Sequence, residues 1–177
     1  MAYIISSGNV LSFADAEDVR EIDSRVFDAN EGVLTDVLVE DMLKRSTDRL
    51  LQKLKSSDWW RIYNNIAISG TLGVGITIPD PSKNKIKRQA DWAELCVYHT
   101  LKEYLYPKIA DFGVEGSAEV QKINFYKVKF DSLWEEMMAI GDFYDTDGDG
   151  TVETDEKMIK PKVYRRTRGY RPIVGVR

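Results

Sequence analysis

Residues 117–144, SAEVQKINFYKVKFDSLWEEMMAIGDFY, decide the fold class. Ile123, Tyr126, Phe130, Leu133 and Met137 recur at spacings of three and four, which sets them along one face of a helix with a 3.6-residue period. Ser117 stands where an N-cap is wanted. Upstream, SKNKIKRQADWAELCVYHTLKEYLYP predicts a second helix from about Ser82. Ala90, Ala93, Val97, Leu101 and Tyr104 form its stripe, and Pro107 marks its end or a kink. TDVLVEDMLKRSTDRLLQKLKSSD predicts a third, capped by Thr35 with Asp36 in the first turn. Its inward positions are Val39, Leu43, Leu50 and Leu54, with Ser46 the small member between. In ADAEDVREIDSRVF, Val19, Ile22 and Val26 make a shorter stripe, with Ser12 as candidate cap and Gly32 as its stop. The expectation is a mainly α protein: a small helical bundle with an extended loop or β-hairpin and an extended C-terminal arm.

The loop or hairpin is IAISGTLGVGITIPDP, residues 66–81, where Leu72, Val74, Ile76 and Ile78 alternate with period two among glycines 70, 73 and 75. No Lys-Ser or Lys-Thr follows these glycines, and their order is wrong for a dinucleotide fingerprint, so they are not a nucleotide cradle. An apolar extended stretch of this length wants a partner, and another subunit is the natural one. Leu72, Val74 and Ile76 are therefore interaction candidates. Trp59 and Trp60 join them, because adjacent positions of a helix or strand diverge: one ring belongs in the core and the other on a rim or interface, unless both close a helix end.

The long helix runs directly into DTDGDGTVETDE, residues 145–156. These twelve positions match the calcium loop of an EF-hand. Asp145, Asp147 and Asp149 occupy the first, third and fifth places, and Gly150 supplies the turn at the sixth. Thr151 would offer its carbonyl, Val152 an apolar contact, Glu153 a water-mediated contact and Glu156 the twelfth-place carboxylate. Many oxygen donors on a flexible loop favour calcium over magnesium. The competing reading is a solvated acidic turn without metal. The exit helix has only KMIK before Pro161, and no second such loop occurs, which argues against a paired sensor and for a structural pin.

Composition narrows the chemistry. The chain has 177 residues, 43% hydrophobic and 31% charged, which suits one domain with a sizeable core and an arm. No apolar run reaches the ~20 residues of a membrane span, and MAYIISSGNVLSF lacks the basic region of a signal peptide, so cytoplasmic synthesis or assembly is expected. Cys96 and His99 are the only cysteine and histidine. Internal disulfides, thiolate clusters and histidine-pair metal sites are thereby excluded, and a hydrolytic triad is poorly served. Cys96 and His99 share a helix face, yet both lie within the apolar WAELCVYHTL, where a buried thiol and a satisfied histidine are the plainer occupants. No catalytic constellation emerges, and the chain reads as a non-enzyme.

Charge is polarised. Residues 1–156 hold 17 basic and 29 acidic side chains, a net of −12, whereas residues 157–177 hold 8 basic and none acidic. This divides the chain into a helical body, 1–156, and a basic arm, 157–177. Arg165, Arg166, Arg168 and Arg171, interleaved with Tyr164 and Tyr170, suit nucleic-acid phosphates and bases, or the acidic face of a neighbouring copy. A disordered basic tail is the plain alternative. The terminal PIVGVR has the character of a strand that adds to a neighbour's sheet edge.

The MAYI start followed by an acidic helix, the paired helix ends YLYPKIADF and IGDFYDTDGDG, and the extended arm together resemble the head-to-tail connectors of tailed bacteriophages, also called neck or head-completion adaptors. The resemblance covers roughly residues 35–156. It implies a virion protein of the neck, assembled in the host cytoplasm as a ring, commonly of twelve copies. Such a ring sits beneath the portal protein, near packaged DNA, and carries the tail or the next neck protein; it is neither an enzyme nor a membrane protein. The alternatives are a stand-alone calcium-binding interaction module and a small nucleic-acid-binding protein acting through its arm.

Overall fold

The computed structural model describes residues 3–28, 34–64, 79–110, 112, 117–145 and 147–152. It is mainly helical, as the periodicities predict, with one small hairpin among the described residues. That hairpin lies at the N-terminus, where the sequence reading had none. Strands β1 (Ile4–Ser6) and β2 (Asn9–Ser12) pair antiparallel across Ser7 and Gly8. Both turn residues have positive φ, 50° and 78°, the geometry of a two-residue turn whose twist matches its strands. The Ser-Gly pair between alternating residues was the available signal.

Ser12 is thus not a helix cap. It closes β2, fully buried, and its hydroxyl donates to the Ala14 carbonyl at 2.8 Å. The cap of α1 (Ala16–Ile22) is Asp15, which accepts from the Asp18 N–H at 2.9 Å while Asp18 accepts from the Asp15 N–H at 3.1 Å. The chain breaks at Asp23 and resumes in α2 (Arg25–Asp28), so the expected stripe is split between two elements, with Val19 and Val26 still buried.

Helix α3 (Asp36–Ser56) follows its expected register. Thr35 caps it, and Val39, Leu43, Ser46, Leu50 and Leu54 are buried, together with Thr47 and Leu51. Ser57 then caps the short α4 (Asp58–Tyr63). The next helix begins later than predicted. Residues 83–85 form a single 3₁₀ turn, and residues 85–87 are drawn into pairing with residues 143–145. The Lys87 N–H donates to the Phe143 carbonyl at 2.8 Å, and the Asp145 N–H to the Lys85 carbonyl at 2.9 Å. Arg88, in the left-handed region at φ 56°, then turns the chain into α5 (Gln89–Thr100).

Helix α5 lies between α3 and α7 and buries Trp92, Ala93, Leu95, Cys96, Val97 and Thr100, positions that go round the helix instead of forming one stripe. Ala90, expected inward, is exposed. Pro107 does not stop the helix. A π turn over Leu101–Leu105, closed by the Tyr106 N–H on the Leu101 carbonyl, leads into α6 (Tyr106–Ile109), where Pro107 occupies the first turn and its missing N–H costs nothing. Helix α7 (Ala118–Ile140) is capped by Ser117 and stopped by Gly141 at φ 71°. Tyr126, Phe130 and Met137 are buried, with Ile123 and Leu133 half-buried beside them.

Candidate metal centre

The acidic loop leaves the core from an aromatic seat. Phe143 is fully buried, its ring 4.4 Å from Trp59 and 5.5 Å from Trp92. Tyr144 meets Trp60 edge-on at 4.9 Å, and its hydroxyl accepts the Ser82 N–H at 3.1 Å. Trp59 and Trp60 are 5% and 2% exposed, so neither stands on a rim and the alternative of two core aromatics is the one observed. Trp60 is also held by its indole N–H, which donates to the Pro79 carbonyl at 2.9 Å. Both tryptophans support the two residues that precede Asp145. A second tie is Arg88, whose guanidinium lies 2.9 Å from Asp142 and 2.6 Å from Asp91.

Asp145, 1% exposed, is the inner carboxylate of the cluster. Its oxygens accept from the N–H groups of Gly148 (2.5 Å) and Gly150 (2.9 Å), and the Lys87 ammonium lies 3.1 Å from Oδ2. Burial alone would push this carboxyl up; the two amides and Lys87 outweigh it and bring it down to about 2. Asp145 is therefore ionised at neutral pH. Asp147, exposed, accepts the Asp149 N–H at 3.1 Å, and Asp149 accepts the N–H and hydroxyl of Thr151 at 2.8 Å and 3.0 Å. Gly150, at φ 104°, adopts a backbone that a side chain would strain.

The three described carboxylates are close enough together to hold one metal ion. Oxygens at 2.3–2.6 Å from one ion are at most about 5 Å apart, and one oxygen from each of Asp145, Asp147 and Asp149 lies within 4.8 Å of the others. Thr151 is exposed and Val152 half-buried. Glu153 and Glu156 lie outside the described residues, as do Leu72, Val74 and Ile76 and the arginines Arg165, Arg166, Arg168 and Arg171. Lys87 is the participant that sequence reasoning missed. No local pattern announces it, because it reaches Asp145 only through the pairing of residues 85–87 with 143–145.

Cys96 and His99 are engaged separately. The Cys96 thiol is fully buried against Thr47 Oγ1 (3.4 Å) and the Leu43 carbonyl (3.6 Å), and burial raises its pKa. His99 Nδ1 lies 2.8 Å from Ser46 Oγ. Among the described residues, no helix is long and apolar enough to cross a membrane. No protein-family model matches the chain, and no significant match was found to a curated protein or a solved structure.

Proposed function

We propose that this chain is a structural connector of a tailed-phage virion, a helical subunit that assembles in a ring between the portal and the tail or neck proteins. A calcium ion in residues 145–156 fixes the direction in which the basic arm leaves the body. The carrying observation is the seat of the loop. Phe143 and Tyr144 are wedged among Trp59, Trp60 and Trp92, so the first carboxylate is held relative to the core before any ion binds. A loop rooted in this way suits a pin. It does not suit a sensor, which must swing a helix pair open.

In this reading Asp145, Asp147, Asp149 and Glu156 supply carboxylate oxygens, Thr151 a carbonyl and Glu153 a water-mediated contact. The ion would neutralise carboxylates that otherwise repel one another and would take over the place of the Lys87 ammonium on Asp145. The connector part rests on the resemblance of the helix ends YLYPKIADF and IGDFYDTDGDG, and the mainly helical architecture agrees with it. The same carboxylate geometry favours one second reading, a stand-alone calcium-binding interaction module.

Native mass spectrometry of the full chain, with calcium and then with a chelator, separates the two. One calcium per chain in a closed ring near twelve copies supports the connector. A calcium-bearing monomer at every protein concentration supports the module. A metal-free monomer removes the pin and leaves the connector without physical support.

A further inference from the structure

One groove runs against the acidic balance of the body. Arg49 of α3, His99 of α5, and Glu103 and Tyr104 of the π turn line an open cavity of about 370 Å³. Lys53 and Lys102 stand behind it over the aromatic residues of α7. Lys53 Nζ is 4.2 Å from the Phe130 ring centre and 4.6 Å from that of Trp134, and Lys102 Nζ is 4.6 Å from Phe130. The His99 ring lies 5.5 Å from Phe130 and 6.0 Å from Tyr104. Two carboxylates act here: Glu103, engaged by Lys102 and within the field of Lys127, and Asp131, whose field reaches Lys53. Arg49, Lys53, Lys102 and Lys127 outnumber them.

The imidazole has a defined orientation. Ser46 is fully buried, and its hydroxyl lies 2.8 Å from Nδ1 of His99 and 3.2 Å from the Cys96 carbonyl, so Nδ1 is engaged in either tautomer. Nε2 is then the ring nitrogen left for a ligand, and in the imidazolium form it carries a proton to donate. The lining also includes a π turn, a rare backbone form that recurs at functional sites.

We propose that this groove binds a phosphate-type oxyanion. Arg49 is the direct donor, Lys53 and Lys102 supply the field, and His99 becomes a second donor through Nε2 when it is protonated. Without the anion His99 is neutral at physiological pH. Burial, then the cations Lys102, Lys53 and Arg49, hold it down to about 4 against the opposing pull of Glu103. An anion reverses the sign of that local field. Protonation of His99 therefore tightens binding, and by reciprocity binding raises the pKa of His99. The oxyanion can arrive free or as a backbone phosphate of nucleic acid, since the recognising chemistry is the same.

His99 is the only histidine in the chain, so its ring Cε1–H signal in proton NMR reports the site without ambiguity. The full chain is titrated with acid in chloride and in sulfate at equal ionic strength, with a chelator present so that the calcium loop plays no part. Sulfate is the probe because it remains a dianion throughout. The expected result is a saturable movement of the signal with sulfate and a midpoint raised by about one pH unit or more. One unit corresponds to about tenfold tighter binding to the imidazolium form. Arg49→Gln, at an exposed position, should weaken sulfate at least about fivefold, the loss of one charged donor. A midpoint that stays near 4 in sulfate, or an Arg49→Gln variant that responds like the parent, overturns the proposal whatever other ligands do. Where sulfate binds, a short DNA duplex identifies the source. Saturation at a tenfold lower concentration than sulfate assigns backbone phosphate, and a weaker response assigns the free ion. Neither result depends on ring assembly.

Discussion

Replacing Asp23 by alanine should destabilise the fold by about 3–5 kcal/mol, because one carboxylate oxygen ties three elements together. Asp23 follows α1, and its Oδ2 accepts from the hydroxyls of Tyr106 in α6 and Tyr126 in α7 (the latter at 2.7 Å), and from the Lys122 ammonium. The carboxylate side chain is only 4% exposed, and both tyrosines are buried. Burial would raise the Asp23 pKa, yet Lys122, Tyr106 and Tyr126 outweigh it and hold the carboxyl below its usual range. Burial and then Asp23 push both tyrosine hydroxyls upward, so they remain donors at any working pH. In the alanine variant two buried hydroxyls lose their acceptor at about 1–3 kcal/mol each, while Lys122, partly exposed, swings into solvent for about 1 kcal/mol or less. Asp23→Asn keeps an acceptor without the charge and should lose about half as much. Urea unfolding gives the values from the shift in midpoint at unchanged m. Adding Tyr126→Phe to each background closes a double-mutant cycle with an expected coupling of about 1 kcal/mol or more. An alanine variant within about 1 kcal/mol of the parent, or strictly additive effects, would refute the reasoning.

Asp145→Ala with Asp149→Ala should abolish calcium uptake by isothermal titration calorimetry and leave the far-ultraviolet dichroism of the bundle unchanged; persistent uptake would place the site elsewhere. Lys87→Met removes the ammonium that sits on Asp145 and should tighten calcium binding by about fivefold, roughly 1 kcal/mol, whereas weaker binding would make Lys87 a supporter of the loop instead of a competitor. Stability in chloride should fall between pH 6.5 and 4. The unfolded chain takes a proton on His99 in that window and the folded chain, with its pKa near 4, does not, a loss of up to about 3 kcal/mol. His99→Asn should flatten this part of the stability–pH curve, and an unchanged slope would assign it to other groups.

The starts of helices α3 and α7 were legible in the sequence to within a residue, since their caps, Thr35 and Ser117, and their inward residues are set by neighbours three and four positions away, whereas α7 ends at Ile140, four residues before the Tyr144 to which the periodic stretch was carried. The clustering of Asp145, Asp147 and Asp149 was legible for the same reason. These carboxylates and Gly150 are arranged along twelve consecutive residues, and the contacts of Asp145 with Gly148 and Gly150 lie inside that span. The N-terminal hairpin carried a local signal in Ser7-Gly8, which a reading of the first thirty residues as one short helix passes over. The late start of α5 had no such signal. Its cause is the pairing of residues 85–87 with 143–145, a contact between distant segments that overrides local helix preference.

By itself the sequence determined the helical class, the caps and stripes of the long helices, and a chain of carboxylates spaced for a hard cation, all of which depend on interactions within a few residues. Tertiary structure alone decided that both Trp59 and Trp60 are buried as the seat of the loop and that Lys87 faces Asp145. It alone gathered Lys53, His99 and Lys102 around Phe130 and set Arg49 beside His99. The physical reason is that burial and electrostatic fields are summed over whatever the fold brings within a few ångströms, whatever the separation along the chain.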